Sequence, residues 1–331
     1  LTKQYDLCTQ IEGDLIALLD DWHSLPEVWD NELDAQIHRW YADPPKVWPK
    51  RPYFSPSSAN ACPRELYLKA KGAKKDNFRR QPHQSRWAGV GTSIGDMIQR
   101  DLLFIEKHYE AKTGNVPRFK LVYTADGRPM FEDFAKTNVL VEHSGEKFYL
   151  YGTPDGIMEY LTDDGETIRF GLEIKSKQTT PARTSLYSMR DAEKSHIMQT
   201  YCYAQMYNVD YYVILYVNAA KHGWEMTEEE YRKTPDIRAF CGRISNEDKA
   251  IVFDKFAGIV KAVREGTPPP LDLDAWTSNK FKTACAQSLT DDELSNIKAQ
   301  VRRYLKSSMS GRRKQAYYDA WEFIKSVREE N

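Results

Sequence analysis

The stretch Gly152–Lys175, GTPDGIMEYLTDDGETIRFGLEIK, places an aspartate directly after a proline and a Glu-Ile-Lys at the end of a second apolar run. Asp155 and Glu173 supply two carboxylates and Lys175 an ammonium group, which two neighbouring strands can bring together. Residues two apart in an extended strand point to the same face, so Glu173 and Lys175 should project together. Ile174 is then buried behind them, with its backbone carbonyl turned toward the site. Two carboxylates and a carbonyl are hard oxygen donors suited to Mg²⁺ or Mn²⁺. Lys175 can orient or deprotonate a water, or offset the charge that builds on phosphoryl oxygens. The chemistry expected is metal-assisted hydrolysis of a phosphodiester. An Asp followed by Glu-x-Lys also recurs by chance, and the plain alternative is a surface strand with an ordinary Glu–Lys pair. The apolar residues of IRFGLEIK argue instead for a central strand.

These residues need a scaffold, and the chain shows where it lies. Residues 1–42 read as helical and acidic, and the proline-rich Pro44–Pro56 links them to the main domain. Ser55, Ser57 and Ser58 offer N-cap hydroxyls for a helix through Cys62, Leu66 and Leu68. A longer helix is expected over Trp87–Tyr109, where Ile94, Met97, Ile98, Leu102 and Ile105 recur at helical spacing. The period then changes. FKLVYT, TNVLVEH, KFYLYGTPDGIMEYL and TIRFGLEIKS read as successive strands, the last two forming a hairpin across TDDGE. A helix over Ala192–Tyr207 puts Gln199 and Tyr203 on one face. The aromatic strand DYYVILYVNA, a helix over Asn246–Arg264 and a mostly helical Leu289–Glu330 complete the chain. Tyr211, Tyr212 and Tyr216 are expected in the sheet core. This order predicts an α/β fold with a mixed sheet flanked by helices.

With SPSSANACPRELYLK and GTSIGDMIQRD upstream, the ordered motifs resemble the PD-(D/E)xK nuclease superfamily, in its RecB-like exonuclease branch. That branch includes the CRISPR-adaptation nucleases and phage recombination exonucleases. The matching residues are Ser57, Cys62, Pro63 and Tyr67, then Gly91, Gly152 with Asp155, Glu173 with Lys175, and Gln199 with Tyr203. The resemblance covers roughly residues 55–265. It implies a restriction-endonuclease-like core over 51–270, a helical extension and link over 1–50, and a basic helical extension over 271–331. By the same resemblance Asp155, Glu173, Lys175, Gln199 and Tyr203 carry catalysis, with Asp155, Glu173 and the Ile174 carbonyl holding Mg²⁺ or Mn²⁺. Gln199 and Tyr203 would position Lys175 or the DNA backbone. Two departures stand out. The family's helix histidine falls on Gly95, which leaves Gln99 or Asp96 as candidate replacements. The cysteines that bind an iron–sulfur cluster in many relatives are reduced to Cys62 and Cys285, so no cluster is expected.

The rest of the composition sets bounds. At 331 residues the chain has room for a sizeable core, and its net charge of −1 neither requires nor excludes a nucleic-acid partner. Basic residues cluster over Lys69–Arg80 and Arg302–Lys314, as solvated faces or as candidate DNA tracks. Mean hydropathy is −0.67, and no apolar run is long enough to span a bilayer. A cytoplasmic location is therefore expected, and the resemblance implies a bacterial cell or a phage-infected host. The five scattered cysteines show no zinc spacing. His83, His108, His143, His196 and His222 show no ligand spacing, and there is no phosphate-binding GxxxxGK[ST] loop. The function expected is a DNA exonuclease in recombination or DNA processing. A single-strand annealing protein or a helicase would be its natural partner, and homo-oligomers occur among some relatives. The alternatives are a structure-specific or restriction-like endonuclease with the same site, and a catalytically silent DNA-binding protein of the same fold.

Overall fold

A computed structural model describes residues 2–221 and 223–329. In chain order its elements are α1 (Thr2–Ser24), α2 (Asn31–Ala42), β1 (Tyr53–Phe54), α3 (Pro63–Ala70), α4 (Pro82–Thr113), β2 (Phe119–Leu121), β3 (Thr137–His143), β4 (Glu146–Gly152), β5 (Gly156–Leu161) and β6 (Thr167–Lys177). They continue with α5 (Lys194–Tyr207), β7 (Tyr211–Asn218), α6 (Glu228–Lys233), β8 (Ile237–Arg243), α7 (Asn246–Glu265), α8 (Lys282–Gln287), α9 (Asp291–Lys306) and α10 (Gly311–Glu329). The fold is α/β with a mixed central sheet flanked by helices, as expected. No helix among the described residues is long and apolar enough to cross a membrane. Two residues read from the sequence, His222 and Glu330, lie outside the described residues.

The chain divides into two compact units. The first comprises Leu1–Lys50, Arg80–Val139 and Leu150–Ala250. Its five-stranded sheet runs β2-β5-β6-β7-β8, with β6 and β7 parallel and the other pairs antiparallel. Phe170 to Ile174 of β6 are buried without interruption, the pattern of a strand covered on both faces. Phe170, Leu172 and Ile174 join one apolar cluster with Ile11, Leu15 and Leu19 of α1 and Ile98, Leu102 and Ile105 of α4. Strand alternation turns Gly171, Glu173 and Lys175 to the opposite face, where α5 packs.

The second unit comprises Arg51–Arg79, Leu140–Tyr149 and Ile251–Asn331. An aromatic group of Phe54, Phe148, Phe253 and Phe256 lies at one centre, with the Phe54 and Phe256 rings stacked at 4.2 Å. A second centre is the helical cluster of Leu273, Cys285, Ile297, Val301, Tyr317 and Ile324. Buried Arg64 ties this unit together, donating to the Pro269 carbonyl (2.7 Å) and the Ser288 carbonyl (3.0 Å) and pairing with Glu293.

Several local expectations change. The helix expected over Trp87–Tyr109 begins at Pro82 and ends at Thr113. Proline suits the first turn, where no N–H is needed, and Gly114 closes the end in the left-handed region at φ 78°. KFYLYGTPDGIMEYL is not one strand. It breaks around Pro154, which has no N–H for a ladder, and its halves become β4 and β5 in different sheets. The serines do not cap α3. They lie in and before a 3-10 turn over Pro56–Asn60, and α3 starts from Cys62 with Pro63 in its first turn. Strand β8 was not anticipated, because IRAFCGR mixes arginines into a short segment whose pairing with β7 supplies the order.

Candidate active site

The site grows from the end of the β5–β6 hairpin. The ladder stops at Gly156 opposite Leu172, so the Ile174 amide on that edge has no β5 carbonyl to meet. Asp155 Oδ2 accepts it at 2.7 Å. A residue's N–H and C=O point to the same edge of an extended strand, so the Ile174 carbonyl also faces the Asp155 side. This hydrogen bond fixes the Asp155 carboxylate beside Glu173, in agreement with the hairpin geometry read from the sequence.

Glu173 and Lys175 share a face, and Lys175 Nζ pairs with Glu173 Oε1. Gln199 on α5 spans both. Its Nε2 donates to Glu173 Oε1 at 2.8 Å, and its Oε1 lies 3.5 Å from Lys175 Nζ. The Tyr203 hydroxyl, one turn further along α5, accepts from Gln199 Nε2 at 3.4 Å. The five residues singled out in the sequence as catalytic candidates thus meet in one place. Tyr203 also stacks on the buried Tyr212 ring at 6.0 Å between centroids.

The electrostatics are those of carboxylates crowded away from water. Burial and the neighbouring Glu173 charge push Asp155 up to about 8, against the opposing pull of the Ile174 amide and the Lys175 charge. Glu173, only 1% exposed, is also raised by burial, and the Lys175 ammonium works against that shift. On the far side of Lys175, burial and the Lys175 charge push His196 down to about 4, so its ring is neutral near pH 7. Its Nδ1 lies 2.8 Å from the Tyr216 hydroxyl.

Gln99 on α4 reaches the same place and is 1% exposed. Its Nε2 donates to the Asp155 carbonyl at 2.8 Å and lies 3.4 Å from Glu132 Oε1. Asp96, the other candidate replacement on this helix, is exposed and makes no hydrogen bond to Asp155 or Glu173. Gly91 has a packing reason. A Cβ there would lie 3.1 Å from Ser176 Oγ, so the glycine lets α4 approach β6 closely. Ser57, Cys62, Pro63 and Tyr67 belong to the second unit. There Cys62 Sγ accepts the Asp272 amide at 3.2 Å, and Cys285 Sγ accepts from Asn279 at 3.4 Å.

Among the described residues, no group of three or more His, Cys, Asp or Glu side chains is placed so that it could hold a metal ion. The donors nevertheless fit a hard cation that keeps much of its water, since Mg²⁺ is commonly held by one or two carboxylates. Glu173 Oε2 and Gln99 Oε1 are buried acceptors with no hydrogen-bond partner, the kind of unmet demand a bound cation or its waters would answer. Glu132 was not anticipated. It lies in a turn without periodicity, and no motif spacing points to it.

No protein-family model matches the sequence, and no curated protein matches it. Among solved structures, a protein designated SSO0001 is similar with a TM-score of 0.39 and 13% identity, over 78% of this chain and 95% of that one. An alkaline exonuclease of Laribacter hongkongensis, LHK-Exo, is similar with a TM-score of 0.33 and 13% identity, over 64% of this chain and 90% of that one. LHK-Exo in complex with dAMP gives 0.33 and 14%, over 64% and 88%. Similarity at this level carries no argument, and the chemistry of this chain follows from its own side chains.

Proposed function

We propose that the chain is a Mg²⁺- or Mn²⁺-dependent deoxyribonuclease, an exonuclease used in DNA recombination or processing. The observation that carries this reading is the hydrogen-bonded set Asp155, Glu173, Lys175 and Gln199, with a buried Glu173 oxygen that has no partner among the described residues. The order of motifs that resembles the PD-(D/E)xK nucleases supports it independently.

Asp155, Glu173 and the Ile174 carbonyl would hold the cation. When bound, such a cation lowers the pKa of a coordinated water and offsets charge on phosphoryl oxygens. Lys175 directs its ammonium toward the attacking water or a phosphoryl oxygen, and Glu173 and Gln199 set its position. Gln199 has a second task, because its amide fixes one Glu173 oxygen and leaves the other free for ligation. Tyr203 accepts from the same amide and limits the orientations Gln199 can take. DNA is the substrate in this reading, with an annealing protein or a helicase as the partner that presents the strand.

The test is cleavage of end-labelled linear duplex and of closed circular DNA in Mg²⁺, Mn²⁺ or EDTA, with Lys175→Ala beside the wild type. The expected result is cation-dependent loss of the linear substrate alone, reduced at least ~100-fold in the variant. Cutting of the circle would replace the exonuclease with an endonuclease. No cutting with any cation, by protein that still binds DNA, would replace both with a silent binding protein.

A further inference from the structure

We propose that a groove of the second unit, lined by Phe78, Trp276, Lys282, Arg312 and Phe323, binds single-stranded DNA, with a base stacked on Phe78 and the adjoining phosphates on Lys282 and Arg312. The inference takes its polyanion from the DNA reading above and adds a contact outside the catalytic set. Every residue that lines the groove belongs to the second unit.

The groove encloses about 650 Å³, a volume suited to a small ligand or one nucleotide unit. Phe78 is 55% exposed, whereas Trp276 is 5% exposed. Both rings meet Phe323 edge-on, at 6.3 and 5.8 Å between centroids. Lys282 Nζ lies 5.5 Å from the Phe78 centroid and 5.8 Å from that of Trp276, so one ammonium group is shared by two aromatic faces. The loop that carries Phe78 is pinned. The Asp76 amide donates to the Lys280 carbonyl at 2.9 Å, and Asp76 Oδ2 accepts the Thr283 amide at 3.3 Å. A ring held in this way has little freedom left to lose on binding.

A single exposed phenylalanine needs no functional reason. One set in a groove beside two cations is a different case. Lys282 and Arg312 form no ion pair among the described residues, whereas Arg313 and Arg328 of α10 pair with Asp274 and Asp291. Burial holds the Lys282 ammonium below its usual range, against the pull of the Asp76 and Glu65 charges. An anion beside it would replace the lost hydration. Lys74, Lys75 and Arg79 are exposed on the Phe78 loop and extend the positive surface. Aromatic faces with cations between them suit a strand whose bases are free to stack and whose phosphates follow the charge. A duplex keeps its base faces inside the stack, so the exposed ring favours an unpaired strand. The lining carboxylate, Asp319, accepts from Gln315 Nε2 at 2.7 Å and can also accept from the amino group of a base edge.

The test is fluorescence anisotropy of a labelled oligothymidylate of about 15 nucleotides, with the whole protein in EDTA so that binding is read without cleavage. Wild type is compared with Phe78→Ala, Phe78→Leu, Phe78→Trp and Arg312→Ala, and with the exposed control Tyr318→Ala on the same helix as Arg312. Phe78→Ala should bind about 5- to 150-fold more weakly, the range for one stacked base, and Phe78→Trp should match wild type. Arg312→Ala should reduce the slope of log affinity against log salt by about 0.7, the value for one phosphate of a single strand. Phe78→Leu keeps apolar bulk without a ring, so its loss of affinity decides the matter if Phe78→Ala does not fold. An abasic oligonucleotide of equal length should bind wild type as weakly as oligothymidylate binds Phe78→Ala. Equal affinity of wild type for the abasic and thymidylate strands would mean a charged surface without stacking, and would overturn the proposal. Wild-type affinity in Phe78→Ala and Phe78→Leu, with cleavage still lost in Lys175→Ala, would overturn the groove and leave the proposed function standing. Weaker binding by the Phe78 variants of a protein that cuts no DNA would keep the groove and overturn the nuclease.

Discussion

At Gly171 a single added methyl group should do severe damage. It pairs in register with Tyr212 across the parallel β6–β7 ladder, and the Tyr212 ring lies over it. A Cβ at Gly171 would fall 1.9 Å from Tyr212 Cε2 and 2.4 Å from Cζ. Relief at ordinary contact distance needs a ring displacement of well over an ångström. Tyr212 is 2% exposed and stacked on Tyr203, so the ring has nowhere to go without moving its neighbour. Overpacking of a tight core typically costs about 1–3 kcal/mol, and so close an overlap belongs at the upper end. Alanine recovers up to ~1 kcal/mol by restricting the unfolded chain relative to glycine. The net expectation for Gly171→Ala is a loss of about 2 kcal/mol, or roughly 4–8 °C in melting temperature. Thermal unfolding followed by circular dichroism measures it. The same substitution in a Tyr212→Ala background should have almost no effect, because the ring that opposes the methyl group is gone. An equal loss in both backgrounds, or a Gly171→Ala protein that melts with wild type, would refute the reasoning. Displacement of Tyr203 also loosens Gln199, so Mn²⁺ affinity should fall along with stability.

Three other outcomes can be checked by simpler means. Arg64→Ala should destabilise the second unit by about 3–5 kcal/mol in denaturant unfolding, since it removes a buried guanidinium and strands the Pro269 and Ser288 carbonyls. Arg64→Lys should rescue only part of this, because an ammonium group cannot reproduce the planar fork. Asp30 caps α2 through the Leu33 amide (2.9 Å) and meets Lys107 and His108, contacts that hold its carboxyl well below the usual range. A depressed carboxylate stabilises the fold above its unfolded pKa of about 3.9, and that contribution is lost as pH falls toward the folded value. Asp30→Asn should therefore flatten the acid limb of the stability curve below about pH 4 and lower stability at pH 7. Finally, the Cys241 thiol donates to Cys8 Sγ at 3.0 Å and lowers the Cys8 pKa, leaving α1 and β8 poised for a disulfide. Diamide should convert the pair to a disulfide with loss of about two mass units and a higher melting temperature, and Cys8→Ser should abolish both changes.

Sequence and structure part company most instructively at the breaks. KFYLYGTPDGIMEYL is apolar almost throughout, and its pattern gives no sign that Tyr151 and Ile157 belong to different sheets. Only the partners available to each half decide that. β8 was missed because Arg238 and Arg243 obscure its alternation, while pairing with β7 and cover from α1 make it a strand. α4 outran its apolar stripe at both ends because Pro82 and Gly114 set its limits, and punctuation residues do not register as periodicity. Units joined by contact rather than chain order are another case. Residues 51–79 cluster with 251–331, and no composition shift marks this.

What the sequence by itself determined was local in origin. A period of two placed Glu173 and Lys175 on one face, and a helical turn placed Gln199 above Tyr203. Both relations arise from backbone geometry and hold wherever those elements form. The tertiary structure alone decided that Gln199 bridges Glu173 and Lys175, that Asp155 takes the Ile174 amide, and that Glu132 arrives beside Asp155 through Gln99. These contacts join residues far apart in the chain. They depend on α4 reaching β6 over Gly91 and on where the β5 ladder ends, which are matters of packing that no short spacing encodes.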